Sequence, residues 1–400
     1  MPVRRSAGTD DDLHRDVLSR RARLVELRRH FHRHPELAHA EHATAAAIAE
    51  HLRVAGLEVR TGVGGTGVVG LIRGATPGRT LLVRADIDAL PVLEANATEY
   101  ASQVPGKMHA CGHDGHIAIA LVLAELLAAR RERLRGCVKL AFQPAEEVVG
   151  GAAPMVADGV LRDPAVDAVV GLHLWSPVPV GEVTVQAGPF FASSDAVTLR
   201  VTGRGGHGAM PHLNVDPLVA AAHIVTAAQT LVSRELAPSA TGVVTFGMIH
   251  GGTATNVVAD AVELGGTIRA YDPADRALLL RRLGEVAAGV AGALRAEVVL
   301  ERGEGTDACV NDPEITALVR RAAVATVGEA RLTQGDGRQP VSDDMAVFLA
   351  AVPGCYFLVG VGNPAKGITA PHHSNRFDLD EDALPIGVEV MARAALEFLA

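Results

Sequence analysis

In this 400-residue chain, the order of strands and helices predicted between residues 190 and 305 matches one known arrangement closely. The stretch DAVTLRVTG alternates apolar and polar residues as a half-buried strand does, and VDPLVAAAHIVTAAQTLVSREL has the apolar spacing of a helix. Two further strands (TGVVTFGMIHGG and DAVELGGTIRAYD), a second helix and a last strand follow. The order β-α-β-β-α-β is that of a split βαβ unit, so we predict a ferredoxin-like α+β domain.

The flanking segments, residues 13–189 and 306–400, have a different pattern. Short apolar runs, among them TLLVR, CVKLAF, DAVVGL and CYFLVGVG, alternate there with helical stretches. Buried strands that alternate with helices are typical of a mostly parallel sheet with helices on both faces. We therefore predict an α/β domain made of residues 13–189 and 306–400, into which residues 190–305 are inserted as a lid.

Composition and charge exclude several classes of partner. Charged residues make up 21% of the chain, the net charge is −9, and no Lys/Arg cluster is interleaved with aromatic residues, which argues against nucleic acid. No stretch approaches the ~20 apolar residues of a membrane span, and an acidic run follows the N-terminal arginines where a secretion signal would be apolar. The four cysteines form no CxxC pair, as in proteins of a reducing compartment. We expect a cytoplasmic protein without a nucleic-acid or membrane partner.

Polar side chains follow three of the predicted strands. The run TLLVR leads into Asp86 and Asp88, CVKLAFQP leads into Glu146 and Glu147, and DAVVGL leads into His173. In open α/β sheets, ligands bind outside the carboxyl ends of the strands. These three groups are therefore expected to converge in one crevice.

The segment HACGHDGH, residues 109–116, is the densest chemical signal. Thiolate, imidazole and carboxylate together suit a borderline divalent metal, and the glycines allow the tight turn that would aim Cys111 and His113 at one point. The alternative is a polar helix N-terminus with capping side chains. Three histidines, a cysteine and an aspartate within eight residues favour the metal site.

Other candidate residues are less specific alone. Glu146 and Glu147 point in different directions at a strand end, so one can bind metal while the other transfers protons; two solvated loop acids are an equal alternative. His173 by itself fits a satisfied core histidine as well. The pair His372-His373 lies in a late loop and by itself fits an ordinary exposed loop.

Taken together, the motifs RADIDALP, HACGHDGH, FQPAEE, GLH, GRGGHGAMPH, GTIRA and HHSNRFDLDE resemble one family across nearly the whole chain. It is the metallo-amidohydrolase family of acetylornithine deacetylases, succinyl-diaminopimelate desuccinylases and G-type carboxypeptidases. The cysteine in HACGHDGH is similar to the branch of N-acyl-amino-acid amidohydrolases, hippurate hydrolases and auxin-conjugate amidohydrolases.

The resemblance implies roles for individual residues. The implied ligands of two divalent ions (Mn²⁺, Zn²⁺ or Co²⁺) are Cys111, which would bridge them, His113, Glu147, His173 and His373. Glu146 matches the general base, and Asp86 matches an acid that orients a ligand. In the lid, His207 matches a residue that reaches the neighbouring subunit's site, while Asn256 and Arg269 match substrate-binding positions. A homodimer or a higher homo-oligomer that forms through the lid is expected as well.

Three positions depart from the family pattern. The stretch Ser342–Met345 stands where a Glu-Asp pair precedes an aromatic residue, and Asn375 stands where proline is common. His373, rather than His372, becomes the ligand only by counting back from Phe377. These departures affect the predicted substrate pocket and leave the catalytic set intact.

The implied reaction is hydrolysis of the amide bond of N-acyl amino acids, in a catalytic domain formed by the two α/β segments. A carboxypeptidase or dipeptidase on the same scaffold is the alternative, although a free α-amino group on the substrate would call for an acidic partner that we do not find. An inactive binding protein is a further alternative, against which the intact Glu146 and ligand set argue. A serine hydrolase is disfavoured because no G-x-S-x-G motif occurs.

Overall fold

The computed structural model describes residues 7–400 of the chain, with side chains from residue 12 onward. The helices are α1 (Ala7–Ser19), α2 (Arg21–Arg33), α3 (His42–Val54), α4 (His113–Ala128), α5 (Ala152–Ala157), α6 (Pro217–Thr230), α7 (Pro273–Ala293), α8 (Pro313–Val327), α9 (Met345–Ala351) and α10 (Ala383–Phe398). The strands are β1 (Glu58–Val63), β2 (Gly67–Arg73), β3 (Thr76–Asp86), β4 (Arg135–Gln143), β5 (Ala168–Pro179), β6 (Val183–Thr184), β7 (Gly188–Phe191), β8 (Ser194–Thr202), β9 (Gly206–His207), β10 (Gly242–Gly251), β11 (Val257–Val258), β12 (Ala261–Ala270), β13 (Glu297–Thr306), β14 (Cys309–Asn311) and β15 (Gly354–Gly362). Among these residues, no helix combines the length and apolarity needed to cross a membrane.

The chain forms two compact units. The first contains the described residues up to Gly188, Val310–Gly337 and Asp343–Ala400, and the second contains Pro189–Cys309 and Arg338–Ser342. The sequence pattern predicts residues 338–342 in the other domain. They belong to the second unit because their backbone bonds to its first residues: Gln339 N–H donates to Phe190 O at 2.8 Å.

A seven-stranded sheet organises the first unit, in the order β1-β2-β4-β3-β5-β15-β6. The four central strands, β4, β3, β5 and β15, are parallel to their neighbours within that group. The strands outside that group pair antiparallel. The predicted mostly parallel central sheet is therefore confirmed, and its antiparallel strands lie at the two edges.

Both faces of this sheet are covered. Alternate residues of the central strands, such as Val83, Val170 and Phe357, join one large core with apolar residues of α1, α2, α3, α4, α8 and α10. Residues of the opposite face are also buried. Helix α9 lies close to that face: a Cβ atom added to Gly171 of β5 would lie only 3.2 Å from Met345 Cε. Strands buried on both faces explain the nearly continuous apolar runs in the sequence.

The second unit has the predicted ferredoxin-like organisation. Its sheet, in the order β10-β12-β8-β13, is antiparallel throughout. The inward residues of β8 (Val197, Leu199 and Val201) form a core with apolar residues of α6 and α7, while Arg200 is exposed. Because only one face of this sheet is buried, apolar and polar residues alternate along β8, whereas the central strands of the first unit are apolar on both faces.

An Asp-Pro pair begins three of the helices. Asp216, Asp272 and Asp312 each accept hydrogen bonds from backbone N–H groups of the first turn, at 2.9, 2.7 and 2.9 Å for the shortest of each. Proline follows each of them, at a position where a helix needs no N–H donor. The helices α6, α7 and α8 are thus started by local sequence.

Candidate active site

The carboxyl ends of neighbouring parallel strands bring the first polar groups together. Asp86, the last residue of β3, pairs in register with Gln143, the last residue of β4. On the other side, Arg84 pairs with Gly171 of β5, so His173 lies two residues further along that strand. Because β5 continues to Pro179, His173 lies inside a strand and not at its end as expected.

A left-handed glycine connects the cysteine and histidine of HACGHDGH. Gly112 has φ 91° and precedes α4, whose first residue is His113. A side chain is strained at this φ, and a Cβ there would lie 3.6 Å from both Leu174 Cβ and Phe377 Cζ. Cys111 and His113, on either side of the turn, are both buried.

The two glutamates lie on a short 3-10 turn, Glu146–Val148, between two left-handed residues. Ala145 has φ 52° and Val149 has φ 53°, and the latter is rare for a β-branched residue. The Glu147 N–H donates to Asp88 Oδ2 at 3.0 Å. The surrounding structure thus holds the turn in a conformation that costs free energy locally.

Asp88 orients His113. The Nδ1 of His113 lies 2.9 Å from the Asp88 carbonyl oxygen and 3.3 Å from Asp88 Oδ1, so the Nδ1 proton is donated there. The opposite nitrogen, Nε2, lies 3.9 Å from Glu146 Oε2 and from Glu147 Oε1. The Nε2 atom therefore faces the two glutamates. Burial disfavours the charged imidazole, but the nearby carboxylates raise the pKa of His113 to about 10, so Nε2 carries a proton that a metal ion would have to displace.

Asp86 contacts different partners. Its Oδ1 lies 2.5 Å from His116 Nδ1 and its Oδ2 lies 2.7 Å from Arg84 Nη1, whereas His113 Nε2 is 3.7 Å away. His116 Nε2 accepts the Leu174 N–H at 2.9 Å, so both His116 nitrogens are used. Asp86 therefore does not contact His113 Nδ1. The residue that does is Asp88, which the sequence pattern placed in the crevice without giving it a role.

The tandem histidines point in different directions. His372 Nε2 donates to Leu174 O at 3.0 Å, its Nδ1 lies 3.1 Å from Ser176 Oγ, and its ring stacks on Trp175 at 4.4 Å between centroids. His373 has φ 65°, and its Nε2 lies 3.3 Å from Glu147 Oε2. Of the two, His373 is the one that lies near Glu147, and it is also the one that counting back from Phe377 selects as the candidate ligand.

His173 faces the cysteine. Its Nδ1 donates to Leu174 O at 2.8 Å, and its Nε2 lies 3.6 Å from Cys111 Sγ. Two groups of metal-capable atoms, each within 4.8 Å of one another, follow from these contacts: Cys111 with His113 and His173, and Cys111 with Glu147 and His373. They share only Cys111, and together they contain the five ligands that the resemblance implied.

The chemistry of these groups fits bound cations. Among the described residues, the buried atoms His113 Nε2 and Glu147 Oε1 have no hydrogen-bond partner, although they lie only 3.9 Å apart. Burial together with nearby carboxylates raises the pKa of the Cys111 thiol and of Glu146 well above their usual values, and that of Glu147 to about 7. An excess of buried anionic groups favours protons or metal ions at this place.

A buried arginine network, which was not predicted from the sequence, lies beside the glutamates. Arg84 Nη2 donates to Asp343 Oδ1 at 3.0 Å and to Asp344 Oδ1 at 3.1 Å, and its Nε donates to Gln143 Oε1 at 2.8 Å. Carboxylate oxygens of the two aspartates and of Glu146 all lie within 4.8 Å of one another. The sequence pattern links them only to the shape of the substrate pocket. An arginine inside the apolar run TLLVRAD was the available signal, because a buried guanidinium needs carboxylate partners.

The three predicted residues of the second unit lie on its strands and turns. His207 ends β9 and pairs with Val257 of β11, and the Gly208 N–H donates to Asn256 O at 2.8 Å. His207 and Asn256 are thus neighbours, and both are exposed. Arg269 lies near the end of β12 and is partly buried.

Comparison with known proteins identifies the relatives of this chain. The profile of Peptidase family M20/M25/M40 matches residues 82–397. Thermostable carboxypeptidase 2 of Saccharolobus solfataricus is 39% identical over 383 residues, which cover 94% of this chain and 95% of that protein. N-acetyl-L-cysteine deacetylase of Bacillus subtilis is 36% identical over 365 residues, 90% of this chain and 84% of that protein.

A solved structure agrees in fold. The crystal structure of the YXEP protein of Bacillus subtilis, a dinuclear metal binding peptidase from the M20 family, superposes with a TM-score of 0.83 at 31% identity. The superposition covers 95% of this chain and 99% of that chain. The likeness therefore includes both compact units.

Proposed function

Because this chain belongs to peptidase family M20/M25/M40, a family of metal-dependent amidohydrolases and peptidases, we propose that it hydrolyses the amide bond of N-acyl amino acids. The products are a carboxylic acid and a free amino acid. The observation that supports this most is the pair of ligand groups sharing Cys111, each suited to one divalent ion such as Mn²⁺, Zn²⁺ or Co²⁺.

Glu146 is proposed as the proton-transfer group. Two bound ions would polarise the amide carbonyl and lower the pKa of an attacking water. Glu146 belongs to neither of the two groups that contain Cys111, and its raised pKa suits a carboxylate that accepts a proton and then gives it to the departing nitrogen. The network of Arg84, Asp343 and Asp344 supports this role, because it places further carboxylates beside Glu146.

The second unit is proposed to bind the substrate and a second copy of the chain. Arg269 donates one bond, from Nη1 to Pro340 O at 3.2 Å, and within residues 7–400 its other guanidinium nitrogens have no partner. The planar guanidinium of Arg269 could donate two parallel hydrogen bonds to the carboxylate of the amino-acid part of the substrate. His207 and Asn256 would complete the site, with His207 acting across a homodimer.

A substrate panel with metal analysis tests the proposal. The purified protein should contain close to two divalent ions per chain, and removal of the ions with a chelator should abolish activity until Mn²⁺, Zn²⁺ or Co²⁺ is restored. N-acetyl, N-benzoyl and indoleacetyl amino acids should each be assayed for release of free amine. A metal-free preparation whose activity is insensitive to chelator would contradict the proposal.

A carboxypeptidase activity is the second candidate, favoured by the 39% identity to a thermostable carboxypeptidase. Both substrate classes end in a carboxylate, and they differ at the other side of the scissile amide. Dipeptides with a free amino group should therefore be compared with the same dipeptides after N-acylation. Faster hydrolysis of the free dipeptides would favour the carboxypeptidase.

A further inference from the structure

A buried cluster of charged side chains joins the segment that carries His113 to the segment that carries His373. At its centre is Arg28 of α2, whose side chain is 0% exposed. Arg28 Nε donates to Asp114 Oδ2 at 2.8 Å, and Arg28 Nη2 donates to Asp378 Oδ1 at 2.9 Å. Asp114 directly follows His113, and Asp378 is five residues after His373. One guanidinium therefore bridges two segments that are far apart in the chain.

Neighbouring groups hold this bridge in one geometry. His32 Nδ1 lies 2.8 Å from the same Asp114 oxygen, and Tyr100 Oη donates to Asp378 Oδ2 at 2.7 Å. The guanidinium of Arg28 also lies over the Tyr100 ring, 4.7 Å from its centroid. A buried arginine is costly unless it is paired, and here Asp114 and Asp378 supply the two closest carboxylates. Glu381 Oε1 lies further away, 3.5 Å from Arg28 Nη1. The arrangement stays favourable only while both segments keep their places.

The segment between Asp378 and His373 is short and compact. The Phe377 N–H donates to Ser374 O at 3.0 Å, and the Phe377 side chain is buried. The His373 N–H donates to Ala110 O at 2.8 Å, one residue before Cys111. The His373 side chain itself is 55% exposed, so its position depends on the backbone that carries it. A shift of Asp378 would therefore move the histidine relative to Cys111 and Glu147.

We infer that Arg28 is a positioning residue for the group formed by Cys111, Glu147 and His373. It sets the separation between the His373 segment and the segment of Cys111 and His113 without touching either histidine. This inference rests on the proposed function, because it requires the group to bind a metal ion. Groups outside the ligand shell typically change metal affinity about 10–100-fold when they are replaced.

Titration of the metal-free protein with Co²⁺ tests the inference, with absorbance and calorimetry as readouts. Arg28→Lys keeps the charge but cannot fork onto two carboxylates, and Asp378→Asn removes the charge of one partner without changing its size. Each variant should bind one Co²⁺ as the wild type does and the second about 10–100-fold more weakly. Thermal unfolding, followed separately, should confirm that each variant is folded at the titration temperature.

Arg29→Lys is the matched control. Arg29 lies next to Arg28 on α2, contacts the Tyr100 ring and donates two bonds of 2.8 Å to Glu381, but it makes no contact with Asp114. It should bind both ions as the wild type does. If Arg29→Lys weakened binding of the second Co²⁺ as much as Arg28→Lys does, the inference would be overturned. Loss of any contact to the segment after His373 would then be enough to weaken the site.

The remaining outcomes separate the two proposals. A wild type that binds two Co²⁺, with Asp378→Asn and Arg28→Lys indistinguishable from it, would overturn the role of Arg28 and leave the proposed function standing. A wild type that binds no Co²⁺ would remove the proposed function and this inference together. If Arg28→Lys does not fold, the Co²⁺ titration of Asp378→Asn tests the inference. This variant should stay folded, because Tyr100 can still donate its hydrogen bond to the asparagine oxygen.

Discussion

The polar residues of the two compact units differ in how they are held. In the first unit, Arg84, Asp86 and His113 are buried, and each side chain makes hydrogen bonds or ion pairs that determine which atom it presents. In the second unit, His207 and Asn256 are exposed on a two-stranded ribbon. The candidate ligands of the first unit are thus already ordered, whereas the side chains of His207 and Asn256 lie mainly in solvent.

This difference indicates a division of work. Buried, mutually bonded groups lose little entropy when a metal ion arrives, because they are ordered already. Exposed groups make few bonds within the chain, such as that from the Ala209 N–H to His207 Nδ1 at 3.1 Å, and can bind a substrate or another chain with their remaining atoms. We therefore expect variants at the candidate ligands and their buried partners in the first unit to change metal content or stability, and variants at His207, Asn256 and Arg269 to act mainly on substrate use.

Replacing the two glutamates should give the largest effects. Glu146→Gln should keep its metal and lose turnover by ~10²–10⁴-fold, the usual contribution of a general base. Glu147→Gln should lose metal as well, because Glu147 belongs to the group with Cys111 and His373. Steady-state kinetics with elemental analysis distinguishes the two, and the reverse pattern would show that their roles are exchanged.

The stability of the two units should respond differently to the loss of an arginine. Arg84→Met leaves Asp86, Asp343 and Asp344 buried without their cation, which costs about 3–5 kcal/mol. Arg269→Met removes a single bond to a backbone oxygen and should cost about 1 kcal/mol or less. Urea unfolding of the metal-free proteins measures both free energies, and equal losses would remove the contrast between the units.

Metal affinity should increase with pH. Burial and nearby carboxylates raise the pKa of Glu147 to about 7 and that of the Cys111 thiol well above its usual value, so both hold protons at pH 6 in the metal-free protein. A ligand must lose its proton to bind, and each proton released strengthens binding about tenfold per pH unit. The thiol and His113, whose pKa, despite burial, the nearby carboxylates raise to about 10, contribute from pH 6 to 8, and Glu147 adds to them mainly below pH 7. Co²⁺ titrations at pH 6, 7 and 8 measure the slope, and His207→Ala should leave it unchanged.

Mixing two inactive variants should give the smallest but most specific effect. If His207 acts on the neighbouring subunit, a hybrid of Glu146→Ala and His207→Ala has one site with both defects and one intact site. Equal amounts refolded together should regain about a quarter of wild-type activity, because half the dimers are hybrid and one of their two sites works. Each variant refolded alone is the control. No recovery in the mixture would place His207 at the site of its own chain.

Much of this organisation could be predicted from local pattern. The change from continuous apolar runs to alternating ones separated the two units because strands buried on both faces differ in composition from half-buried strands. The HACGHDGH segment marked the metal-capable residues because a helix N-terminus needs far fewer polar side chains for capping. The roles of Asp88 and Arg84 were harder to predict, because they depend on which atoms these side chains contact and not on their spacing in the sequence.

Hydrophobic periodicity was enough to predict the main strands and helices and the inserted position of the ferredoxin-like unit. The five candidate ligands came instead from the resemblance of the surrounding motifs to one family, since residue type alone left His173 and His373 open. The packed structure was needed to show that His373 faces Glu147 while His372 turns to Leu174. The same holds for the contact of Asp88 with His113 and for the bridge from Asp114 through Arg28 to Asp378. The physical reason is that hydrogen-bond partners are chosen by position in space, and the chain brings these residues together only when the sheet and its helices have packed.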